Sequence, residues 1–564
     1  MSLSGALQVG RSALVASQTA IQVAGNNMAN AATEGFHRRS VHLTPIRGEY
    51  IGRGQYIGQG VDILSIRREI DTAMQARYRD ALGEEKASLI DQRYLTALET
   101  LQNELTDNDL STLLSAFFNS YSELANNPSD NAVRAVVIQQ GQSLASRIAD
   151  MRSDYSVVQD EIDRQLGTTV EEVNTILDQI TLINAQIAQS ESGVGEAAAL
   201  RDRRDALIDD LAEYMDITVI QQENGMTDIL VNSTPILLAG QSRGVELRWE
   251  NDDGQLELSL RVAADGSDLL VDSGSIGGLL RQREQTIEPA INTLDEFARQ
   301  LIFQVNRLHS QGQGEGGFSA VTGTYLLDDT SANLNADASS LPFSVDNGSF
   351  YIHVTHQETG QRTAYRIDVD GDAMSLDDLV DEINTVIGVP NVTASVTAER
   401  AFQLTADSGY EISFSDDTSG ALAALGINTF FAGEGASTIE VNQTLLDDPT
   451  MLAVGLDHLP GSNGTALAIA DLQDAEIADL GGVSLREYWQ NSVNGLAVRT
   501  SAANTAATSA EIVRDNLYAQ LQAVSGVSLD EESINLLSYQ RQYQAAARFI
   551  TVIDETLEIL MSLA

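Results

Sequence analysis

The sequence predicts an α+β multidomain protein whose terminal helices form an α-helical coiled coil, with a long helical rod domain and β-rich inserted domains. Three observations predict this fold class. Apolar residues recur every seven positions at both ends of the chain, residues 131–190 form one long helical pattern, and residues 216–274 and 325–440 alternate short apolar runs with turns.

The first helical pattern covers residues 2–31. A row of large apolar residues recurs at seven, and a row of small residues follows it three positions later. The large row is Leu7, Leu14, Ile21 and Met28, and the small row is Gly10, Ser17, Ala24 and Ala31. Two rows at this spacing form a narrow seam that is buried against another helix. Small residues in such a seam let the partner helix approach closely.

The last helical pattern covers residues 527–564, which contain neither proline nor glycine. One row at seven-residue spacing is Leu529, Leu536, Tyr543, Ile550 and Leu557, and a second is Tyr539, Ala546, Ile553 and Leu560. These are the a and d positions of a coiled-coil helix. We therefore predict that subunit contacts are made by Leu7, Leu14, Ile21, Met28, Leu529, Leu536, Tyr539, Tyr543, Ile550, Ile553, Leu557 and Leu560.

Between the two ends, helical and extended segments alternate. Residues 36–68 look extended, and their glycine-rich part is either a flexible linker or a run of hairpin turns. Further helices are predicted over residues 70–106, 108–126, 131–190, 197–214, 275–310, 375–387 and 491–524. The helix over 131–190 would be roughly 90 Å long at about 1.5 Å per residue. Gly167 is the position where it could break.

The alternation predicts four parts. They are a terminal coiled-coil domain (1–35 and 525–564), a helical rod domain (36–215, 275–324 and 441–524), a β-rich subdomain (216–274) and an outward-facing β-rich inserted domain (325–440).

Charge is distributed unevenly along the chain. The formal net charge is −48, whereas residues 1–100 carry 11 basic and 10 acidic residues and residues 328–440 carry 3 basic and 19 acidic. Acidity of this degree argues against a nucleic-acid partner, because the phosphates would be repelled. No signal peptide is expected at the start, and no apolar run approaches the roughly 18 residues that would indicate a membrane span. The absence of cysteine excludes disulfides and thiolate chemistry.

No segment carries a convincing chemical motif. Asp368, Asp370 and Asp372 alternate around Gly371, but the segment lacks the glycine and glutamate of an EF-hand loop, which favours a solvated turn. The glycine-rich residues 312–317 contain no lysine and hold an acidic residue, unlike a phosphate-binding loop. We therefore expect no catalytic residues, no metal and no cofactor, and a protein that is not an enzyme.

Two motifs resemble a known family. Residues 26–36, with the asparagine-rich run Asn26-Asn27-Met28-Ala29-Asn30 and then Thr33-Glu34-Gly35-Phe36, resemble the N-terminal motif of bacterial flagellar rod, hook and hook-associated proteins. In that motif proline and tyrosine stand where this chain has Glu34 and Phe36. Residues 525–548, from Ser525-Gly526-Val527-Ser528-Leu529-Asp530-Glu531-Glu532 onward, look like the closing helix of the hook–filament junction members. Residues 201–205 (Arg-Asp-Arg-Arg-Asp), 273–279 and 447–449 resemble the same members.

The resemblance implies a structural role in the flagellum. Such proteins join the hook to the filament, and their terminal helices form the inner tube of the axial structure. It implies export without a cleaved signal peptide through the flagellar export apparatus, to an extracellular flagellar location. The implied partners are further copies in a ring, the hook protein, a second junction protein and an export chaperone, with no nucleic acid and no membrane.

Two alternatives remain open at this point. One is another flagellar axial protein, either a hook protein or a flagellin-like protein. The other is a surface adhesin or enzyme that acts through residues 325–440, although no triad, metal cluster or phosphate loop supports it.

Overall fold

The computed structural model describes residues 3–52, 55–103, 109–191, 195–252, 255–388, 391–456, 459 and 461–563. The chain divides into two compact units. Unit 1 consists of residues 1–94, 162–282 and 502–564, and unit 2 of residues 95–161 and 283–501.

The α-helices are α1 (Leu3–Ala29), α2 (Thr72–Gln102), α3 (Leu110–Asn126), α4 (Asn131–Ser190), α5 (Ala198–Ala212), α6 (Gly274–Gln282), α7 (Glu288–His309), α8 (Leu376–Ile387), α9 (Ala421–Ala424), α10 (Gln443–Asp447), α11 (Gly464–Asp471), α12 (Leu485–Ser525) and α13 (Leu529–Leu563). A π-helical turn, Arg283–Ile287, separates α6 from α7.

The strands are β1 (Arg39–Pro45), β2 (Glu49–Gly52), β3 (Gln55–Ile57), β4 (Val61–Arg68), β5 (Ile217–Gln221), β6 (Thr227–Val231), β7 (Thr234–Leu238), β8 (Gln241–Ser242), β9 (Val245–Asp252), β10 (Gln255–Val262), β11 (Ala320–Leu326), β12 (Gly348–His356), β13 (Arg362–Val369), β14 (Val392–Val396), β15 (Ala401–Ala406), β16 (Tyr410–Ser415), β17 (Phe431–Ala432) and β18 (Glu440–Val441). This mixture of long helices and small antiparallel sheets confirms the predicted α+β multidomain class. Among the described residues, no helix combines the length and apolarity needed to cross a membrane.

The long helix α4 follows the predicted segment 131–190 and does not break at Gly167. A glycine inside a helix costs about 1 kcal/mol relative to alanine. Leu166, Val170 and Val173, on either side of Gly167, are buried. Their burial outweighs that cost, because each large apolar side chain contributes roughly 1.5–3 kcal/mol.

Unit 1 places a β-ribbon against α1. Strands β1 and β4 pair antiparallel, with a register shift between His42 and Leu43. The glycine-rich segment between them forms the hairpin of β2 and β3, in which the rings of Tyr50 and Tyr56 lie 5.3 Å apart. Gly60 has a positive φ of 103°, and a Cβ there would collide with the Ser12 side chain. The ribbon therefore enters β4 in close contact with α1.

The remaining strands of unit 1 form the four-stranded antiparallel sheet β5-β6-β7-β8 and the hairpin of β9 and β10. These strands fall within the predicted β-rich segment 216–274. Helix α5, which precedes them, carries the motif of residues 201–205 described below.

Unit 2 combines helices with two three-stranded antiparallel sheets, β11-β15-β14 and β13-β12-β16. Helix α8 packs on β13 and β14. Ser375 caps the start of α8: the Ser375 hydroxyl accepts a hydrogen bond from the amide of Asp378, and the Asp378 carboxylate accepts one from the amide of Ser375. Of the aspartates before this helix, Asp368 lies in β13, and Asp370 and Asp372 lie in the turn that follows it.

The core of unit 2 contains an aromatic cluster. Phe117 and Tyr121 of α3 meet Phe430 and Phe431, with ring centroids 5.3–5.9 Å apart. Residues 430 and 431 lie inside the predicted insertion 325–440, and β11 begins before residue 325. The predicted four-part division of the chain stays a prediction.

His309, at the end of α7, is fully buried beside this cluster. Its Nδ1 lies 2.8 Å from the carbonyl oxygen of Asn428, and its Nε2 accepts the amide of Ala453 at 3.0 Å. Burial lowers the pKa of His309 to about 4, although the bond to Asn428 opposes this effect. The imidazole is therefore neutral at neutral pH and joins three segments of the core.

We expect His309 to make unit 2 sensitive to mild acid. The unfolded chain takes up a proton on this side chain near pH 6.5, whereas the folded chain does so only near pH 4. As pH falls through this window, the free energy of unfolding should drop by on the order of 3 kcal/mol. The fluorescence of buried Trp489 during urea unfolding, in a Trp249→Phe background, measures this change.

His309→Gln is the comparison, because carboxylates titrate alike in both proteins. The variant should be less stable at pH 7, and its deficit should shrink towards pH 4. A deficit of constant size would contradict the prediction.

Candidate assembly interface

Helices α1 and α13 pack against each other along much of their length, so the two ends of the chain meet within unit 1. Apart from Asn27 near its end, the buried positions on α1 are the small ones: Gly10, Ala16, Ser17, Ala20 and Ala24. A Cβ added to Gly10 would lie 2.7 Å from Cγ1 of Ile550 and 3.2 Å from Cδ1 of Phe549. The small row, rather than the large apolar row, therefore forms the intramolecular contact.

The structure places the predicted interface residues at three levels of burial. Ile553 is buried; Leu7, Leu14, Ile21, Met28, Leu536, Tyr539, Ile550 and Leu557 are half-buried; and Leu529, Tyr543 and Leu560 are exposed. The pair of helices thus covers only part of its own apolar surface. Whether these residues contact other subunits stays a prediction.

An apolar groove of about 620 Å³ runs beside this pair. Val9 and Ala13 of α1, Leu43 of β1, and Tyr539 and Phe549 of α13 contribute to its lining. Leu43 is half exposed, at 50%, and Phe549 is 44% exposed. The groove extends the uncovered apolar surface of the helix pair onto the ribbon.

Asn27 connects the end of α1 to the start of α13. This side chain is 1% exposed, and its Nδ2 donates to the carbonyl of Arg39 at 2.9 Å and to Oε2 of Glu532 at 3.2 Å. Its Oδ1 accepts the amide of Arg39 at 3.0 Å. Arg38 Nε donates to Oε1 of Glu532 at 2.8 Å, and the Arg38 amide donates to the carbonyl of Ser525. The asparagine-rich residues 26–30 and the acidic residues 530–532 therefore meet in one buried polar contact.

A buried ion-pair network holds the ribbon against α5. Asp202 accepts hydrogen bonds from Arg39 at 3.2 Å and from Arg68 at 2.9 Å, and its Oδ1 lies 2.9 Å from Nδ1 of His37. Arg68 also donates to Asp205 at 2.7 Å. Burial opposes ionisation of Asp202, but hydrogen bonds from His37 and Arg68 lower the pKa of this carboxyl below its ordinary value.

Arg68 is 9% exposed and depends on these carboxylates. Burial by itself would lower the pKa of Arg68, but Asp205, Glu196 and Asp202 outweigh burial and raise it. Removing one partner from a buried ion pair costs roughly 3–5 kcal/mol, because the other charge is left uncompensated. The motif of residues 201–205 thus links α5 to the ribbon of β1 and β4 through buried ion pairs.

Arg204, from the same motif, is fully buried. Its Nη1 donates to the carbonyl of Gly225 at 2.7 Å and to Oδ1 of Asn184 at 3.2 Å, which ties α5 to α4 and to the turn before β6. Burial lowers the pKa of Arg204 to about 10. The side chain therefore stays charged at neutral pH.

The individual roles of Asn27, Glu532 and Asp202 were not visible in the seven-residue repeats. Each residue lies inside a motif quoted above, but a motif does not state which side chains are buried. For Asn27, the signal in the sequence is that a polar residue stands near the end of the apolar helix α1. Among the described residues, no group of three or more His, Cys, Asp or Glu side chains could hold a metal ion.

Three family models match parts of the chain. The "Flagellar hook-associated protein FlgK helical domain" matches residues 95–322. The "Flagellar basal body rod FlgEFG protein C-terminal" model matches residues 521–563, which include α13, and the "Flagella basal body rod protein" model matches residues 7–37, which include most of α1. Both ends of the chain and its helical middle are thus similar to flagellar axial proteins.

Similar proteins extend over nearly the whole chain. Flagellar hook-associated protein 1 of Bacillus subtilis (strain 168) is 27% identical over 98% of this chain and 96% of its own length. The protein of the same name from Salmonella typhimurium is 25% identical over 98% of both chains. Within the axial class, this chain is FlgK-like over nearly its whole length.

The fold agrees with a solved structure, the flagellar hook junction protein FlgK from Burkholderia pseudomallei. The TM-score is 0.50 at 16% identity, and the match covers 80% of this chain and all of that one. At this identity the likeness concerns the fold.

Gly10 and Gly25 provide a matched test of the helix pair, since both lie in α1 and only Gly10 faces α13. Gly25→Ala should stabilise α1 by about 0.5–1 kcal/mol, because a Cβ at Gly25 would meet nothing within 4 Å. Gly10→Ala should instead destabilise the pair by about 1 kcal/mol or more through overpacking against Ile550. Hydrogen exchange of the α1 amides, followed by mass spectrometry, reports both changes. Equal stabilisation by both substitutions would show that the helices do not meet at Gly10.

Asn26 and Asn27 provide a second matched test. Asn27→Asp removes the amide donor and brings a second carboxylate against buried Glu532, so the loss should be about 2 kcal/mol or more. Asn26→Asp changes an exposed side chain and should cost less than about 1 kcal/mol. Limited proteolysis near the start of α13 measures the difference. Similar cleavage of the two variants would contradict the role assigned to Asn27.

Proposed function

We propose that this protein is a non-enzymatic structural component of the flagellum that joins the hook to the filament. Its relatives are named flagellar hook-associated proteins, and the similarity covers 98% of the chain. In this proposal copies of the chain assemble into a ring in the flagellar axis through α1 and α13. The hook protein and a second junction protein are the proposed neighbours on either side.

The observation that supports this proposal best is the unfinished burial of the α1–α13 pair. Leu529, Tyr543 and Leu560 of α13 remain exposed after α1 has packed, at 53%, 39% and 51%. The apolar groove beside the pair, which includes exposed Leu43 and Phe549, adds contiguous apolar surface, and contiguous surface of this kind marks interaction sites. A neighbouring subunit would remove this area from water, at roughly 25 cal/mol per Å² of apolar surface.

Electrostatics is compatible with close association of these ends. Residues 1–100 are nearly neutral, whereas the chain as a whole carries −48. Like charges at a contact between identical subunits would oppose assembly. Helix α1 carries one basic and no acidic residue, whereas α13 carries six acidic and two basic residues, so the α1 side of the proposed contact avoids the acidity of the chain.

Export and delivery are part of the same proposal. We infer that the chain leaves the cell through the flagellar export apparatus, and that an export chaperone covers the exposed apolar residues of α13 before assembly. The absence of cysteine means that no disulfide could form during passage.

Leu560→Asp tests the proposed interface, and Leu182→Asp on α4 is its control. Both leucines are exposed, at 51% and 64%, so neither substitution should change the stability of the monomer by more than about 0.5 kcal/mol. In a strain that lacks the gene, the wild-type chain and Leu182→Asp should restore filaments on hooks. Leu560→Asp should leave most hooks bare, because an aspartate would be buried at the subunit contact.

Electron microscopy of isolated flagella counts the hooks that carry filaments, and immunoblotting of secreted protein confirms export. Full filament assembly with Leu560→Asp would contradict the proposed interface. Normal filaments in the strain without the gene would contradict the proposed function itself.

A further inference from the structure

The ribbon of β1 and β4 continues without a register shift into the hairpin of β2 and β3. Leu43 pairs with Ile63 and Tyr50 pairs with Tyr56, so each strand advances by seven residues between the two pairs. Among the described residues the hairpin has no third strand. A hairpin of two strands is only marginally stable in water, so this one gains from a surface that covers it.

Strand β1 lies along α1 and runs in the opposite direction. The backbone of Arg39 forms two hydrogen bonds with the Asn27 side chain, and the amide of Val61, which pairs with Pro45, donates to Oγ of Ser12 at 3.2 Å. At about 3.3 Å per residue, Arg39 to Pro45 spans roughly 20 Å, and at about 1.5 Å per residue, Ser12 to Asn27 spans roughly 22 Å. The two distances agree, so the ribbon follows the axis of α1.

The hairpin therefore reaches the free end of the helix pair, where α1 begins and α13 ends. Tyr50 lies five residues beyond Pro45, which is roughly 16 Å along the ribbon. The start of α1 lies nine residues before Ser12, which is roughly 14 Å along the helix. Tyr50 and its partner Tyr56 are thus about level with the start of α1 and lie beyond the apolar groove, whose lining on α1 starts at Val9.

The last turns of α13 lie at the same end. Gly10 of α1 faces Ile550, and the two helices are antiparallel, so the residues before Gly10 lie beside the residues after Ile550. Ile559 and Met561 therefore belong to the free end, and they are exposed at 58% and 79%. Neither residue belongs to the two rows that face α1 in the predicted seam.

We call Tyr50, Tyr56, Ile559 and Met561 the end surface. The two tyrosine rings lie 5.3 Å apart and are exposed at 59% and 67%. Tyrosines are frequent anchors of protein interfaces, because each aromatic side chain buries roughly 150–250 Å² and has few torsions to order. Grouped at one end of the helix pair, these four large side chains indicate a contact with another molecule.

We propose that the end surface binds the hook protein, with the two tyrosines seated in an apolar groove beside the terminal helices of a hook subunit. This inference rests on the proposed function. It adds which part of unit 1 faces the hook.

The likeness between axial proteins favours the hook protein as the occupant. The motif of residues 26–36 resembles that of rod and hook proteins, and models of rod-type proteins match both ends of this chain. We therefore expect a hook subunit to carry a helix pair like α1 and α13. In this chain that pair carries an apolar groove of about 620 Å³ with small residues such as Ala13 and Ala16 in its lining. A volume of this size, within the roughly 300–1,000 Å³ typical of ligand sites, accommodates two tyrosine side chains.

The position of the end surface argues against a copy in the same ring. Copies side by side in a ring stand at the same height, so the end surface of one lies beside that of the next and beyond its groove. Contacts between copies use the sides of the helices, whereas the end is reached by a neighbour along the axis.

Binding to isolated hooks tests the proposal. Purified chain is sedimented with hooks from the strain that lacks the gene. Tyr50→Ser with Tyr56→Ser should weaken binding by about ten-fold or more, because both aromatic anchors are lost. Tyr50→Phe with Tyr56→Phe keeps the apolar rings and should bind within about two-fold of wild type. Leu182→Asp on α4, a residue that is 64% exposed, is the control and should also bind like wild type.

Two results of this experiment would overturn the inference: wild-type binding by the serine variant, or an equal loss in the phenylalanine and serine variants. Since both tyrosines are exposed, circular dichroism of every variant should match that of the wild-type chain.

Photo-cross-linking separates this inference from the proposed function. Tyr56→p-benzoylphenylalanine is expressed in the strain that lacks the gene, and isolated flagella are irradiated and probed with antibodies to each axial protein. An adduct with the hook protein is expected. An adduct with a second copy or with the second junction protein instead, or no adduct although the chain is in the flagella, would overturn the inference alone. Absence of the wild-type chain from flagella would overturn the proposed function.

Discussion

The contact between Asn27 and Glu532 is the interaction on which the arrangement of unit 1 depends. The two residues are separated by 505 positions in the chain, yet the carboxamide of one donates to the carboxylate of the other in a buried site. A buried polar group without a partner is costly, so each side chain requires the other. Arg38 completes the site and fixes the turn after α1 to the first turn of α13. The two ends of the chain therefore meet at a defined position as well as along an apolar seam.

Packing by small residues explains how α1 and α13 can contact each other within the chain and still leave apolar surface exposed. Gly10, Ser17 and Ala24 let α13 approach α1 closely, but they contribute little apolar area. Apart from Ile553, which is buried, the large predicted interface residues of the two helices are half-buried or exposed. A pair of helices that met through its large residues would be more stable and would leave less surface for a neighbour. This division of roles fits a subunit whose burial is completed by assembly.

The rest of unit 1 supports that helix pair with buried charge. Arg68 and Asp202 bring the ribbon and α5 together, and Arg204 extends the connection to α4. Buried ion pairs contribute little net stability relative to apolar packing, but they penalise every arrangement that separates the partners. Unit 2 relies on a different device, since an aromatic cluster and the neutral His309 form its core. The buried ion pairs of unit 1 and the aromatic cluster of unit 2 each determine which segments of the chain meet.

The sequence by itself determined which segments are helical, because a period of seven or 3.6 residues over 27 to 60 positions is a strong local signal. It also identified the family, through the motifs around Asn27 and Glu532. It could not determine which face of α1 is buried against α13, since two rows of similar spacing compete and only the close approach at Gly10 decides between them. Nor could it show that His37, Arg39 and Asp202 form one buried network, because residues 163 or more positions apart meet only in the folded chain. Helical periodicity depends on residues that are close in the sequence and can be recognised there. Burial and ion pairing depend on contacts between distant segments, and those contacts form only in the tertiary structure.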